Sequence, residues 1–314
     1  MKAYYMGIDI GGTSVKLGLF DESSKLIQKW EIPTRIEKNG AYILPDIASS
    51  ISGLHLSIRA DFQSVVGIGV GVPGPVVNES YVERCVNLGW ENINIRDELF
   101  QLTGVKKITA INDAKAAALG EWWKGGHGQI DGAVMITLGT GIGGGVIING
   151  KVYNGAFGSA GELSHFPIVP DETEACACGK FGHLQQYASA DGIVHQFQKK
   201  ISLTTTSSLL RGKQHITAKD ILDSAKNGDE LSLEIVHDAV QKIAQTMAMI
   251  TTVIDPELFL IGGGLSKAGD FLLDAIRDEF HRIVFFASKK AKVEAAVLGN
   301  DAGIYGAVKS VMDS

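Results

Sequence analysis

Four side chains able to ligate a metal fall within nineteen residues of one another: His165, Cys176, Cys178 and His183. Glu162 stands three positions before the first histidine. A Cys-x-Cys pair with a following histidine suits one metal far better than a disulfide, and Zn²⁺ accepts two thiolates and two imidazoles in a tetrahedral set. The competing reading is two reduced core cysteines and two surface histidines. The glycines and charges around the cysteines describe a loop, which has no core to bury thiols in, and this favours the metal. A metal here places the carboxylate of Glu162 beside an anchored loop.

Phosphate chemistry is suggested twice. In Asp9-Ile10-Gly11-Gly12-Thr13, glycines at a tight turn bare N–H groups that can hold phosphate oxygens, Thr13 adds a hydroxyl, and Asp9 can hold Mg²⁺ through water. Alone this is as readily a plain hairpin turn. A second turn, Gly139-Thr140-Gly141-Ile142-Gly143, changes the balance, because two such hairpins are what a nucleotide triphosphate needs. Neither is followed by Gly-Lys-Ser/Thr, and strand rather than helix follows the glycines, so neither is a Walker A loop or a dinucleotide fingerprint.

Three further groups complete the candidates. Asn112-Asp113 stands at a strand-to-helix junction, where a carboxylate can act as a base or simply cap the helix. Gly71-Val72-Pro73-Gly74-Pro75 is a rigid turn able to wall a pocket and offer backbone groups to hydroxyls. Gly262-Gly263-Gly264 is a strand-to-helix turn against whose bare backbone an adenine ring can lie.

The elements that must position these groups alternate between strand and helix, which argues an α/β fold. Residues 4–20 read as a hairpin, and residues 132–148 repeat its plan at a period of about 125 residues, the mark of a two-lobe duplication rather than a solenoid. Helices are predicted over 41–59, Asp113–Trp123, Leu231–Ile254 and 300–312, and strands over Val65–Val72, Ile108–Ile111 and Leu258–Ile261. Asp255-Pro256 stops the long helix, and residues 202–217 are expected to be a mobile loop.

Charge and composition set the bounds. A net charge of −6 gives no sign of a nucleic-acid-binding face. No apolar run is long enough to span a membrane, the N-terminal residues do not read as a signal peptide, and three cysteines in 314 residues point to a reducing compartment. A soluble, cytoplasmic protein is expected. Its 38 glycines exceed the ordinary share of roughly 7%; clustered, they imply positive φ or close approach to a ligand.

Taken in order, DIGGTSVK at 9–16, GVGVPGPV at 69–76, NDAKAAALGE at 112–121, LGTGIGGGVIINGK at 138–151, GSAGELSH at 158–165, CACGKFGHLQQYAS at 176–189 and LIGGG at 260–264 resemble the ROK family of repressors, open reading frames and sugar kinases. Within it the chain looks most like the bacterial glucokinases. The resemblance implies a two-lobed actin/hexokinase-like (ribonuclease H-like) fold, a cleft between duplicated lobes, and ATP-dependent phosphorylation of a hexose 6-hydroxyl, glucose first. The expected lobes are 1–114 with 299–314, and 115–298 carrying the zinc loop. By the same resemblance Asp113 is the general base. Gly71, Asn112, Glu162, His165 and Gln185 meet the sugar. Asp9, Gly11, Gly12, Thr13, Lys16, Gly139, Thr140, Gly141 and Gly143 hold ATP phosphates with Mg²⁺, and Gly262, Gly263 and Gly264 lie near adenosine. Structural Zn²⁺ takes His165, Cys176, Cys178 and His183, and the chain pairs as a homodimer.

Three positions depart from the family pattern. His183 replaces the last cysteine of the zinc motif, Gln185 replaces a glutamate that contacts the sugar near its anomeric carbon, and Ser164 replaces a common glycine. The alternatives are a kinase of another sugar (a β-glucoside, mannose, fructose or N-acetylmannosamine) and a sugar-sensing regulator. The regulator is disfavoured because the first phosphate hairpin begins at about residue 7, leaving no room for a helix-turn-helix.

Overall fold

A computed structural model of the chain describes residues 3–53 and 64–314. Its strands are β1 (Tyr4–Ile10), β2 (Ser14–Asp21), β3 (Leu26–Pro33), β4 (Val65–Val72), β5 (Tyr81–Cys85), β6 (Trp90–Asn94), β7 (Ile108–Asn112), β8 (Gly132–Leu138), β9 (Ile142–Ile148), β10 (Lys151–Val152), β11 (Leu258–Gly262) and β12 (Lys292–Ala295). The main helices are α1 (Ile43–Gly53), α2 (Ile95–Thr103), α3 (Asp113–Lys124), α4 (Ala190–Leu203), α5 (Ala218–Lys226), α6 (Glu230–Ile254), α7 (Asp270–Ile283) and α8 (Ala302–Asp313). The predicted helix over 41–59 is α1 as far as Gly53, and its remainder lies outside the described residues.

One sheet runs β3-β2-β1-β4-β7, antiparallel through β3, β2 and β1, and parallel through β1, β4 and β7. The other runs β10-β9-β8-β11-β12, with β10 antiparallel to β9, and β8, β11 and β12 parallel. Both orders read third-second-first-fourth-fifth along their own strands. The plan that the two glycine hairpins share thus extends to both sheets.

The chain forms two compact units. The first takes Met1–Gln129, Gly145–Ala160 and Leu298–Ser314, and the second takes Ile130–Gly144 and Gly161–Val297. The expected break at 114/115 falls inside α3 and is corrected to 129/130. The reason is a seam of glycines. A Cβ on Gly120 of α3 would lie 2.1 Å from the Ala302 carbonyl oxygen of α8, and one on Gly306 of α8 would lie 1.7 Å from that of Ala116. Gly7 of β1 and Gly69 of β4 meet the carbonyl oxygens of Ile304 and Ala307 in the same way, at 2.2 and 1.8 Å. Helix α8 therefore rests backbone to backbone on both α3 and the sheet, and α3 cannot belong to another unit. On the opposite side of that sheet lies the apolar cluster of Ile8, Ile10, Ile47, Val70, Leu88 and Leu99, so β4 is buried almost throughout, as a central parallel strand should be.

In the second unit α6 packs along α7, α5 and α4, with Ile235, Val236, Ala239, Val240, Ile243, Ala244, Met247 and Ile250 buried at the predicted spacing. Of the loop expected over 202–217, residues 202–203 end α4, and the rest is irregular and well fastened: Arg211 donates to the carbonyls of Ile201, Thr204 and Thr206, and the Asp229 carboxylate accepts from Leu209 N–H and Ser208 Oγ. Among the described residues no helix is long and apolar enough to cross a membrane.

Candidate active site

In the first unit the end of β1 carries Asp9, which pairs with Lys16 across the hairpin and with Gly71 on β4. Burial pushes the Asp9 carboxyl above its ordinary range, and the Lys16 ammonium, 3.9 Å away, only partly offsets this. A half-buried carboxylate with one distant cation suits a divalent ion bound through water. The turn that follows is held by Gly11 N–H on the Ser14 carbonyl at 2.9 Å and by Thr34, whose hydroxyl donates to the Gly11 carbonyl at 2.7 Å. Gly11 is thus spent on the turn, while the N–H groups of Gly12 and Thr13 have no protein acceptor among the described residues. None of these glycines adopts positive φ. Contrary to the conformational part of the expectation, glycine at position 12 keeps space open and does not rescue the backbone.

Asn112 and Asp113 divide the two roles that the sequence leaves open. Asn112 is the cap: its Oδ1 accepts from Lys115 N–H at 3.1 Å, and its amide donates to the Gly74 carbonyl at 3.1 Å and to Asp113 Oδ1 at 3.0 Å. Asp113 Oδ1 also accepts from Ala114 N–H at 2.8 Å. The carboxylate is therefore fixed by the residues on either side of it, Asn112 and Ala114, and both amide hydrogens of Asn112 are spent on protein. Gly71 sits in the ladder between β1 and β7, so its backbone is paired there. The turn beyond it, through Gly74, is what reaches Asn112.

In the second unit the turn after β8 repeats this economy. Gly139 N–H donates to the Gly141 carbonyl at 2.9 Å, Gly143 N–H to Thr137 Oγ1 at 3.1 Å, and Ala190 N–H to the Gly139 carbonyl at 2.8 Å. The N–H groups of Thr140 and Gly141 have no protein acceptor among the described residues. Gly263, at φ 86°, lies against β8, where a Cβ would come 2.4 Å from the Leu138 carbonyl oxygen. The Gly262–Gly264 turn is thereby set beside the Gly139 turn.

The four metal-type donors come together. Their ligand atoms all lie within 4.8 Å of one another. His165 Nδ1 is 3.3 Å from His183 Nδ1, which is 3.3 Å from Cys178 Sγ. Nitrogens about 2.0–2.1 Å from one tetrahedral centre stand about 3.3 Å apart, so the donor set and its spacing fit zinc. Burial pushes the Cys176 thiol up, but the backbone N–H groups of Cys178 and Ala177 and the Gln185 amide outweigh it, and the thiol ends below its ordinary range. Burial, and after it His165, lowers the His183 ring. Thiolate and neutral imidazole are the forms a metal takes. Gly182 sets up this corner at φ 69°, where a Cβ would lie 1.9 Å from the Val169 carbonyl oxygen. Contrary to the picture of an open loop, Cys176 and His183 are buried. Glu162 begins the short turn Leu163–His165, and Gln185 Nε2 donates to Cys176 Sγ at 2.9 Å.

A family model described as the ROK family matches residues 5–313. The chain belongs to the ROK family. It is 36% identical to the glucokinase of Halalkalibacterium halodurans, covering 96% of this chain and 93% of that one, and 33% identical to the glucokinase of Thermotoga maritima, covering 99% and 98%. Among solved structures, the Streptomyces griseus ROK glucokinase in complex with glucose and AMPPNP aligns over the whole of both chains at 31% identity with a TM-score of 0.77. The ROK hexokinase of Thermus thermophilus aligns at 26% identity with a TM-score of 0.83 over the full length of both. The ROK chain thus has the α/β fold of the actin and hexokinase class.

Two buried charges of this ROK chain escape sequence reasoning. Lys115 is 1% exposed, and its ammonium donates to the Gly158 carbonyl at 2.6 Å. Glu121 is wholly buried, and its Oε1 accepts from Leu298 N–H at 2.7 Å. The signal for Lys115 is its spacing: it leads the stripe Lys115, Ala118, Leu119, Trp122, whose other members are apolar and buried.

Proposed function

We propose that this ROK chain is an ATP-dependent hexose 6-kinase whose substrate is glucose. The carrying observation is the Asp113 carboxylate, fixed at the first turn of α3 by Asn112 and Ala114, in a chain 36% and 33% identical to two glucokinases over nearly their full length.

In the transfer, Asp113 takes the proton of the sugar's 6-hydroxyl. The bond from O6 to the γ-phosphorus forms as the bond from that phosphorus to the bridging oxygen of ADP breaks. Proton removal of this kind typically contributes about 10²–10⁴ in rate, and the remainder is positioning and neutralisation of charge. Gly12, Thr13, Thr140 and Gly141 offer N–H groups to phosphate oxygens, Gly262–Gly264 offers bare backbone to adenosine, and Lys16 balances Asp9. Asp9 would hold Mg²⁺, which would supply neutralisation of phosphate charge. His165, Cys176, Cys178 and His183 would hold Zn²⁺, which would supply a structural brace for the loop that carries Glu162 and His165 toward sugar hydroxyls. Asn112 keeps one Oδ1 lone pair for a hydroxyl, and Gln185 keeps Oε1. The protein is assigned to the cytoplasm and to a homodimer, the latter supported by an apolar groove of about 310 Å³ between α6 and α7, lined by Leu233, Val236, Val240 and Phe271.

A coupled ADP-release assay over a panel of hexoses and glucosides tests the reading. Glucose should be turned over with the highest kcat/KM. Release of ADP with no hexose in the panel accelerating it overturns the reading. A second reading, another hexose or a β-glucoside as substrate, is favoured by the neutral Gln185, and a different leading sugar in that panel would establish it.

A further inference from the structure

We propose that the loop Asn154–Ala160 is a specificity element of the first unit and that Phe157 packs on the apolar C–H face of the hexose. The proposal rests on the kinase reading above. A chain of contacts leads from the loop to the base. The buried Lys115 ammonium holds the Gly158 carbonyl at 2.6 Å. Gly158, at φ 71°, lies against Val76, where a Cβ would come 2.6 Å from the carbonyl oxygen. Val76 directly follows the Pro73-Gly74-Pro75 turn, and the Gly74 carbonyl accepts from the same Asn112 amide that donates to Asp113. The loop closes on itself through Ala160 N–H to the Asn154 carbonyl at 3.2 Å.

Phe157 therefore stands on a loop fastened to the supports of the catalytic carboxylate, and its side chain is left in water at 82% exposure, with Tyr153 at the base 52% exposed. A lone exposed ring is ordinary on a protein surface. Here the loop beneath it is secured by a buried ammonium, a group that is costly to take out of water. Ligand sites combine a few fixed polar groups with aromatic walls, and a pyranose has both hydroxyls for the former and a C–H face for the latter. Asp113 and Asn112 supply the polar side, and Phe157 supplies the wall. Lys115 is the positioning residue behind it.

Glucose binding by titration calorimetry, together with steady-state kinetics, on wild type, Phe157→Ala and Phe157→Trp is the test. In Phe157→Ala the Kd and KM for glucose should rise by about three- to tenfold, the worth of one aromatic contact. Phe157→Trp should stay within about twofold of wild type. KM for ATP and the melting temperature should hold in both. Lys115→Met should give the same sugar-selective loss, and if it does not fold the Phe157 pair decides. Unchanged glucose affinity in Phe157→Ala, or an equal rise in KM for glucose and ATP, overturns the proposal alone. Weakened self-association with unchanged glucose affinity assigns the ring to a contact between copies and also overturns it. A wild-type protein that neither binds nor phosphorylates any hexose overturns the kinase reading, and the proposal with it.

Discussion

Asp113 is the first residue of α3, and its carboxylate is held by the helix's own first turn and by an asparagine one position away. The second unit's donors are gathered differently. His165 and His183 come from separate segments, and their nitrogens stand 3.3 Å apart with Cys178 Sγ as a third neighbour. Backbone hydrogen bonds do shape that loop: Cys176 N–H donates to the Lys180 carbonyl and Leu184 N–H to the Phe166 carbonyl. They fix the chain's path, and the four donor atoms converge from positions that no single helix or strand spaces. One region is organised by secondary structure, and the other by a loop whose four donors fit one metal. Its geometry should therefore depend on an added ion, while the first should not.

The largest effect that would break this contrast comes from Asp113→Asn. It keeps an acceptor for Ala114 N–H, so the melting temperature should hold while kcat falls by about 10²–10⁴; a variant near wild-type kcat would remove Asp113 as the base. Next is removal of the metal. Elemental analysis should find one zinc per chain, and Cys178→Ser or chelation should lower melting temperature and activity together, the latter about tenfold or more. A zinc-free protein of full activity and stability would show that the second region, like the first, holds itself.

Asp9→Asn sharpens the contrast from within the first unit. The folded-state pKa of Asp9 is raised, so its contribution to stability is present below the unfolded carboxylate value and lost as pH rises through the folded one. Without nucleotide, Asp9→Asn should melt higher than wild type at neutral pH, with the gap shrinking in acid, while KM for Mg²⁺-ATP rises. A gap independent of pH would mean that the carboxylate is not ionised at a cost. The smallest effect is expected of Gln185→Glu, a shift of a few-fold in preference toward glucose in the sugar panel. An unmoved panel would mean that the hydrogen bond to Cys176 is its whole role.

Much of this was legible in the sequence. The hairpins announce themselves because apolar runs and a short glycine turn are local signals, and α6 because twenty-five residues of regular spacing average out local ambiguity. The His/Cys set is legible because ligand chemistry is written in residue type. The choice between Asn112 and Asp113 as cap needed coordinates, since both are good caps by type. What stayed hidden is tertiary. Gly7 and Gly69 look like weak strand residues until α8, some 230 positions beyond Gly69, is seen lying on them. Lys115 and Glu121 look like solvated charges of an alanine-rich helix until their distant carbonyl and N–H partners are known.

The glycine seam has a consequence for synthesis of the chain. Domains generally complete themselves in the order in which they leave the ribosome. The first unit cannot, because the helix that covers β1, β4 and α3 follows every residue of the second unit in the chain. Gly303 of that helix lies directly over Asp9, where a Cβ would come 2.6 Å from the carboxyl carbon. Until that helix is made, Asp9 lacks its cover and the sheet keeps an apolar face in water, although every β-strand and helix of the second unit has already been synthesised. The half that begins first should therefore be the half that matures last, and a released chain truncated before residue 302 should be protease-resistant in its second unit and sensitive in its first.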